Sequence, residues 1–334
     1  MKVFILTEAG NKIGLGHISR CSSLYDELLN ENLQVECLIK SEIDCFEILE
    51  DRQYKVVDWQ SRDFVSAYLK SDDFCIIDSY TVDSNLLEYI EQIVHGCLFL
   101  DDTGRIEYPK GIIVNPSLFT ENIKYPNKDG LMYLLGKEYV ILRQDFCNNG
   151  REQIQKEITN ILITMGGSDA HNITTRSFPL LINEMVKKEI DVNIHVILGK
   201  ETSINKDYYQ SNYSNINFYK NLNSEKICEL MLKCDIGITA AGQTIYELLA
   251  TNTPFIPIQT ADNQKNNIDG LKKHGIIQDA ISVKDPMFLT KIFKSYQELK
   301  QLDKRIQILN LNLIDGKGSK RIISNVLKSL YFLR

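Results

Sequence analysis

The chain lacks the signals that mark several protein classes. No stretch approaches the roughly 20 apolar residues of a membrane span. The apolar run at the N-terminus is interrupted by Thr7 and Glu8, too early for the apolar region and cleavage site of a secretory signal. The eight cysteines (21, 37, 45, 75, 97, 147, 228 and 234) include no C-x-x-C pair. In a chain of 334 residues they read as buried thiols of a reducing compartment. Positive charge is not in excess: 38 Lys and Arg stand against 44 Asp and Glu, a formal net charge of −6. That argues against nonspecific nucleic-acid binding, which needs a basic surface. No H-E-x-x-H, Walker A or G-x-S-x-G motif is present. The expectation is a cytoplasmic protein with no nucleic-acid partner and no stable membrane insertion. A monomer is compatible with the sequence.

What is present is an alternation of short apolar runs and helical patterns. Strands are expected near 2–7, 34–40, 55–58, 74–78, 97–101 and 111–115, then near 160–165, 192–198, 216–219, 235–239 and 254–258. Several are continuous apolar runs, such as Cys75-Ile76-Ile77, Ile112-Ile113-Val114 and Ile161-Leu162-Ile163. Continuous runs suit parallel strands covered on both faces by helices, and strand–helix alternation indicates doubly wound α/β sheets. The pattern also starts over. After the polar stretch 146–157, Asn160–Met165 runs into Gly166-Gly167, as the first strand runs towards Gly14 and Gly16. The expected architecture is two Rossmann-like domains facing a cleft, 1–148 and 158–315. The tail, 316–334, reads as helical, and in some two-domain folds of this type such a tail crosses back to the first domain. Ligands of such sheets bind beyond the carboxyl ends of the strands.

Three constellations carry chemistry. Gly14-Leu15-Gly16-His17-Ile18-Ser19-Arg20 lacks the third glycine of a dinucleotide fingerprint. It reads either as a tight strand-to-helix turn or as a catalytic loop, with His17 suited to proton transfer and Arg20 to a phosphate or carboxylate. Gly166-Gly167-Ser168-Asp169 reads as a helix N-cap, as a phosphate cradle, or as both. The densest is Ala240-Ala241-Gly242-Gln243-Thr244-Ile245-Tyr246-Glu247, followed by Asn263-Gln264. Small residues before a helix permit close approach of a diphosphate. Glu247 either accepts ribose hydroxyls or favours the helix dipole, and the two amides suit sugar hydroxyls and phosphate oxygens. Asp78-Ser79-Tyr80 and Asp101-Asp102 close strands of the first half. One carboxylate pair without companions is insufficient for a metal site, so capping or hydrogen bonding is expected there. His195 lies in a strand pattern and reads as a satisfied core histidine.

Together with Asn115-Pro116, Gly136-x-x-Tyr139-x-x-Leu142-Arg143-x-x-Phe146 and Asp315-Gly316-x-Gly318-x-x-Arg321, these residues resemble the UDP-2,4-diacetamido-2,4,6-trideoxy-β-L-altropyranose hydrolases of pseudaminic acid biosynthesis. The Gly-His loop alone is shared with other glycosyltransferase-B proteins, including the lipid-linked muramyl-peptide N-acetylglucosaminyltransferases. The resemblance implies a GT-B fold with UDP held mainly by the second domain. It implies metal-independent, inverting attack of water at the anomeric carbon. His17 matches the proposed general base, Tyr80 and Asn263 match sugar or phosphate contacts, and Gly242, Thr244 and Glu247 match the diphosphate and ribose loop. Gly14, Gly16, Arg20, Asp78, Gly167, Ser168 and Gln264 complete the expected substrate contacts, and Gln243 the UDP contacts. No metal or cofactor is expected, and the partners are a UDP-sugar and water. Two positions depart from the pattern: Lys137 stands where proline is more usual, and Gln243 where glycine or serine is. The alternatives are a UDP-sugar glycosyltransferase with an acceptor other than water, and a non-catalytic nucleotide-sugar binding module.

Overall fold

The computed structural model describes every residue except 1, 11, 12, 14, 15, 43–46, 121, 122, 168, 170–172, 200, 201, 333 and 334, and leaves out the side chains of 47, 331 and 332. It divides into two units, Met1–Arg143 with Gly316–Arg334, and Gln144–Asp315.

In the first unit the chain runs β1 (Val3–Glu8), α1 (Gly16–Asn30), β2 (Val35–Lys40), β3 (Tyr54–Val56), α2 (Arg62–Tyr68), β4 (Phe74–Asp78), α3 (Ser84–Ile93), β5 (Gly96–Leu100), β6 (Gly111–Asn115) and β7 (Leu131–Leu135). The strands form one parallel sheet in the order β3-β2-β1-β4-β5-β6-β7. Side chains of a strand alternate between faces, and β1 feeds two cores. Val3 and Ile5 pack with Ile18, Leu24 and Leu28 of α1. Phe4 and Leu6 pack with Val65 of α2, Leu87 and Ile90 of α3, and Trp59. This two-sided burial is why the run has no polar alternation. Ser61 and Asp83 cap α2 and α3 by accepting from the Phe64 and Leu86 amides.

The second unit runs β8 (Asn160–Thr164), α4 (Ile173–Lys187), β9 (Asn193–Ile197), α5 (Lys206–Asn212), β10 (Ile216–Tyr219), α6 (Ser224–Lys233), β11 (Ile236–Ala240), α7 (Thr244–Ala250), β12 (Phe255–Gln259), α8 (Lys265–Lys273), β13 (Ile281–Ser282), α9 (Phe288–Lys300) and α10 (Leu302–Asn310). Its parallel sheet has the order β10-β9-β8-β11-β12-β13. The final helix, α11 (Gly318–Phe332), belongs to the first unit and brings Ile322, Ile323 and Val326 into the α1 core. Its first residue must be small, because a Cβ on Gly318 would lie 2.0 Å from the Val140 carbonyl oxygen.

Both sheets have the Rossmann order, in which the direction of progression reverses beside the first strand. That switch point falls between β1 and β4 in one unit and between β8 and β11 in the other. Two strands have no counterpart in the sequence reading. β7 is a half-exposed edge whose Leu-Met-Tyr-Leu-Leu run carries no helix-versus-strand period, and β13 has two residues. The polar stretch 146–157, read from sequence as closing the first series, lies with the second unit. Arg151 in it donates to the carbonyls of Met231 and Cys234, both at 2.7 Å, and the buried Arg305 donates to the carbonyls of Gln155 and Lys156. Polarity here marks backbone anchoring, not a free linker.

Candidate active site

At the first switch point, the register pairs Thr7 of β1 with Asp78, the last residue of β4. α1 begins at Gly16, where a Cβ would meet nothing within 4 Å. His17 and Arg20 follow at a spacing that puts them on one helix face, and that face meets Asp78. His17 Nδ1 lies 2.6 Å from Asp78 Oδ1. Arg20 forks onto the same carboxylate, Nε to Oδ2 at 2.6 Å and Nη2 to Oδ1 at 2.5 Å. Its Nη1 donates to both oxygens of Asp102, at 2.7 and 3.0 Å. Tyr80 donates its hydroxyl to Asp102 Oδ2 at 2.5 Å, and its ring stands edge-on to His17 with centroids 4.4 Å apart.

The charges support one another. Burial alone would push the Asp78 carboxyl up, but Arg20 and His17 reverse this and hold it below the usual carboxylate range. Asp102 is likewise held down against its burial, chiefly by Arg20. Burial opposes the Arg20 charge as well, and Asp102 and Asp78 outweigh it. Burial, then the Asp102 charge, pushes the Tyr80 phenol up, so the phenol keeps its proton. When the imidazole is neutral, an ionised Asp78 accepts the Nδ1 proton, which leaves the lone pair on Nε2. Nε2 makes no hydrogen bond to a described residue. An imidazole whose tautomer is fixed from behind in this way has the geometry that general-base chemistry requires.

Asp78 and Arg20, expected among the substrate contacts, bond to protein partners here. Asp78 has no exposed surface, and the Arg20 donors are directed at protein carboxylates. Of the Asp101-Asp102 pair, Asp101 accepts from the Thr103 and Gly104 amides and from the Tyr125 hydroxyl, while Asp102 faces the His17 cluster. The sequence reading treated them alike. It also passed over Glu8. This buried carboxylate at the end of β1 accepts from the Tyr80 amide at 2.6 Å, from Ser79 Oγ at 2.5 Å and from Thr81 Oγ1. It thereby fixes the loop that carries Tyr80. The available signal was a charged residue closing an otherwise apolar buried strand.

At the second switch point the ends of β8 and β11 are made of small residues. A Cβ on Gly167 would meet nothing within 4 Å, and one on Gly242 would come no closer than 3.8 Å, to Gln264 Nε2. Gly242, Gln243, Thr244 and Gln264 are therefore neighbours, with Glu247 buried one turn into α7. Asn267 ties this loop down, donating to the Ala241 carbonyl and accepting from the Tyr246 hydroxyl. Gln264 accepts from the Thr260 amide at 2.8 Å, whereas Asn263 is exposed. Asp169 occupies the Ile173 and Thr174 amides at the start of α4, so those two amides are capped by the protein itself. Gly14 and Ser168 lie outside the described residues. His195 is buried between Tyr219 and Asn160. Among the described residues no group of three or more His, Cys, Asp or Glu is placed to hold a metal ion, and no helix is long and apolar enough to cross a membrane.

No family model matches the chain. A pseudaminic acid cytidylyltransferase and UDP-2,4-diacetamido-2,4,6-trideoxy-β-L-altropyranose hydrolase of Helicobacter pylori is 28% identical over 274 residues, 79% of this chain and 45% of that one. An uncharacterised protein of Methanocaldococcus jannaschii is 29% identical over 291 residues, 82% of this chain and 58% of that one. The chain thus spans about half the length of these two curated relatives. The spore coat polysaccharide biosynthesis protein SpsG of Bacillus subtilis is 24% identical over 99% of both chains. Among solved structures, MnaA of S. aureus bound to UDP superposes with TM-score 0.66 at 12% identity, covering 99% of this chain and 97% of that one. MurG of Acinetobacter baumannii gives 0.63 at 15%, covering 98% and 100%. With the two Rossmann-ordered sheets, these likenesses establish a GT-B-like fold.

Proposed function

We propose that this chain hydrolyses a UDP-linked 2,4-diacetamido-2,4,6-trideoxy sugar of the β-L-altropyranose type at its anomeric carbon, with inversion. The observation that carries the reading is the buried Asp78 bonded to His17 Nδ1, which turns Nε2 into a base. His17 Nε2 takes a proton from water as the water oxygen bonds to the anomeric carbon. The bond from that carbon to the diphosphate oxygen breaks, and its electron pair leaves with UDP. Asp78 stabilises the resulting imidazolium. The second unit takes UDP, with the Gly242–Thr244 loop at the diphosphate, Glu247 at the ribose, and Asn263, Gln264 and Gly167 around the phosphates and sugar. Backbone N–H groups carry the leaving-group charge, so the reaction needs no metal. A UDP-sugar substrate places it in the cytoplasm.

Support comes from the Helicobacter pylori relative, which has this hydrolase activity as one of the two in its name, and from the motif set spread along the chain. The fold alone supports any GT-B activity. The test is turnover of the UDP-sugar in ¹⁸O-water. Label in the free sugar is expected. Label in UDP means attack at phosphorus and overturns the mechanism, and UDP release that requires an added acceptor makes the chain a glycosyltransferase.

A further inference from the structure

The guanidinium of Arg20 has five N–H donors. Nε and Nη2 donate to Asp78 and Nη1 donates to Asp102, and Nη2 also lies 3.4 Å from His17 Nδ1. All three guanidinium nitrogens are thus engaged by protein carboxylates. Asp102 bonds to Arg20 and to the Tyr80 hydroxyl, the two groups that confine the imidazole. Through Arg20 it sets the plane of the fork that holds Asp78, and through the Tyr80 hydroxyl it sets the ring standing against His17. The loop bearing Tyr80 is itself pinned by Glu8.

We propose that Asp102 is a positioning residue for His17, acting through Arg20 on one side of the imidazole and Tyr80 on the other. The proposal rests on His17 being the working base, and it turns the Asp101-Asp102 pair into two separate devices. Asp101 braces its own turn, and Asp102 braces the base. A positioning residue alters how well the base is aimed without altering how tightly substrate is held, and misplacement by about 1 Å costs on the order of 10²-fold in rate.

The test combines Asp102→Asn with Tyr80→Phe, which removes only the hydroxyl. Side-chain ¹⁵N NMR of the substrate-free protein reads His17 directly. The native protein should show one tautomer, with the proton on Nδ1, and Asp102→Asn should show averaged or shifted signals. In steady-state assays Asp102→Asn should lower kcat about 10–100-fold with KM within about twofold. The double variant should lose less than the product of the two single losses, because both act on one ring. Unchanged His17 signals overturn the proposal, and so does a raised KM at unchanged kcat, which would place Asp102 in substrate binding. Should Asp102→Asn fail to fold, Tyr80→Phe with unchanged His17 signals overturns it equally. Because the NMR arm uses no substrate, it decides the proposal even if the sugar is not hydrolysed.

Discussion

The two units share a strand order and use the same place in it in opposite ways. At the first switch point the strand ends carry Glu8 and Asp78, with Asp102 just beyond β5, and the space is filled by buried hydrogen bonds. At the second they carry Gly166, Gly167, Ala240, Ala241 and Gly242, small residues among which an added Cβ at Gly167 or Gly242 would meet no described atom closer than 3.8 Å. A charged, cross-braced crevice orients a reactive side chain, since every partner is held before substrate arrives. A crevice of small residues lets a ligand approach backbone N–H groups. One fold therefore appears twice, once with charged, cross-braced side chains at its switch point and once with small residues there.

The largest effect that separates the two regions is expected from His17→Asn. Losing the base should lower kcat about 10²–10⁴-fold and leave the calorimetric affinity for UDP unchanged. Equal losses in both would mean that His17 serves binding, and the division between the regions would fail.

Acid should also act on the first unit selectively. The carboxyls of Asp78 and Asp102 are held below their ordinary range in the folded state. The unfolded chain therefore binds protons first as pH falls, and the stability these groups contribute is complete above the ordinary carboxylate range. It is lost as pH drops through the folded values. The window opens below about pH 5. The single tryptophan makes this measurable, because Trp59 is buried in the first unit and donates to the Thr7 carbonyl at 2.7 Å, beside the strand pair that ends in Asp78. Urea midpoints read from Trp59 should fall from pH 6 to pH 3, and Asp78→Asn should flatten that dependence. An undiminished slope in the variant would show that other carboxylates govern acid stability.

The small-residue loop is tested by enlarging one of its residues. Gly242 does not adopt a left-handed backbone, and its added Cβ makes only ordinary contact, so Gly242→Ala should fold with an unchanged melting temperature. A methyl placed where a diphosphate approaches should cost about 1–3 kcal/mol of UDP affinity, or about 5–150-fold in Kd. Unaltered affinity would move the diphosphate away from this loop.

The sequence showed the repeated α/β pattern because strands covered on both faces are long apolar runs, and those runs are hard to mistake. β7 escaped because its short apolar run lies at a half-exposed edge and has no period that tells strand from helix, and β13 because it has only two residues. The candidate site drew notice in the sequence where a residue type was unusual for its place, as with His17 after a glycine, or Gly242 between a strand and a helix. Its supports were not legible. Asp78 and Arg20 look like ligand-binding residues in sequence, since the pattern of charges does not say whether the partner is a substrate or another side chain. That Arg20 meets Asp78 and Asp102, 58 and 82 residues away, depends on the order of β1, β4 and β5 in the sheet. Glu8 was lost for the same reason, its partners being Ser79, Tyr80 and Thr81.

The smallest effect concerns Asp169, the carboxylate described just beyond β8. Its backbone has φ +44°, a region that asparagine tolerates, so Asp169→Asn changes charge with little strain. Asp169 accepts from the Ile173 and Thr174 amides and from Thr202 Oγ1, the behaviour of a cap at the positive end of α4. Neutralising it should cost about 0.3–1 kcal/mol of stability, read as a lower urea midpoint, with kcat and UDP affinity within about twofold of native. A collapse of kcat at intact stability would give the second unit a carboxylate engaged in chemistry. The contrast between a charged, cross-braced crevice and one of small residues would then have to be redrawn around Asp169.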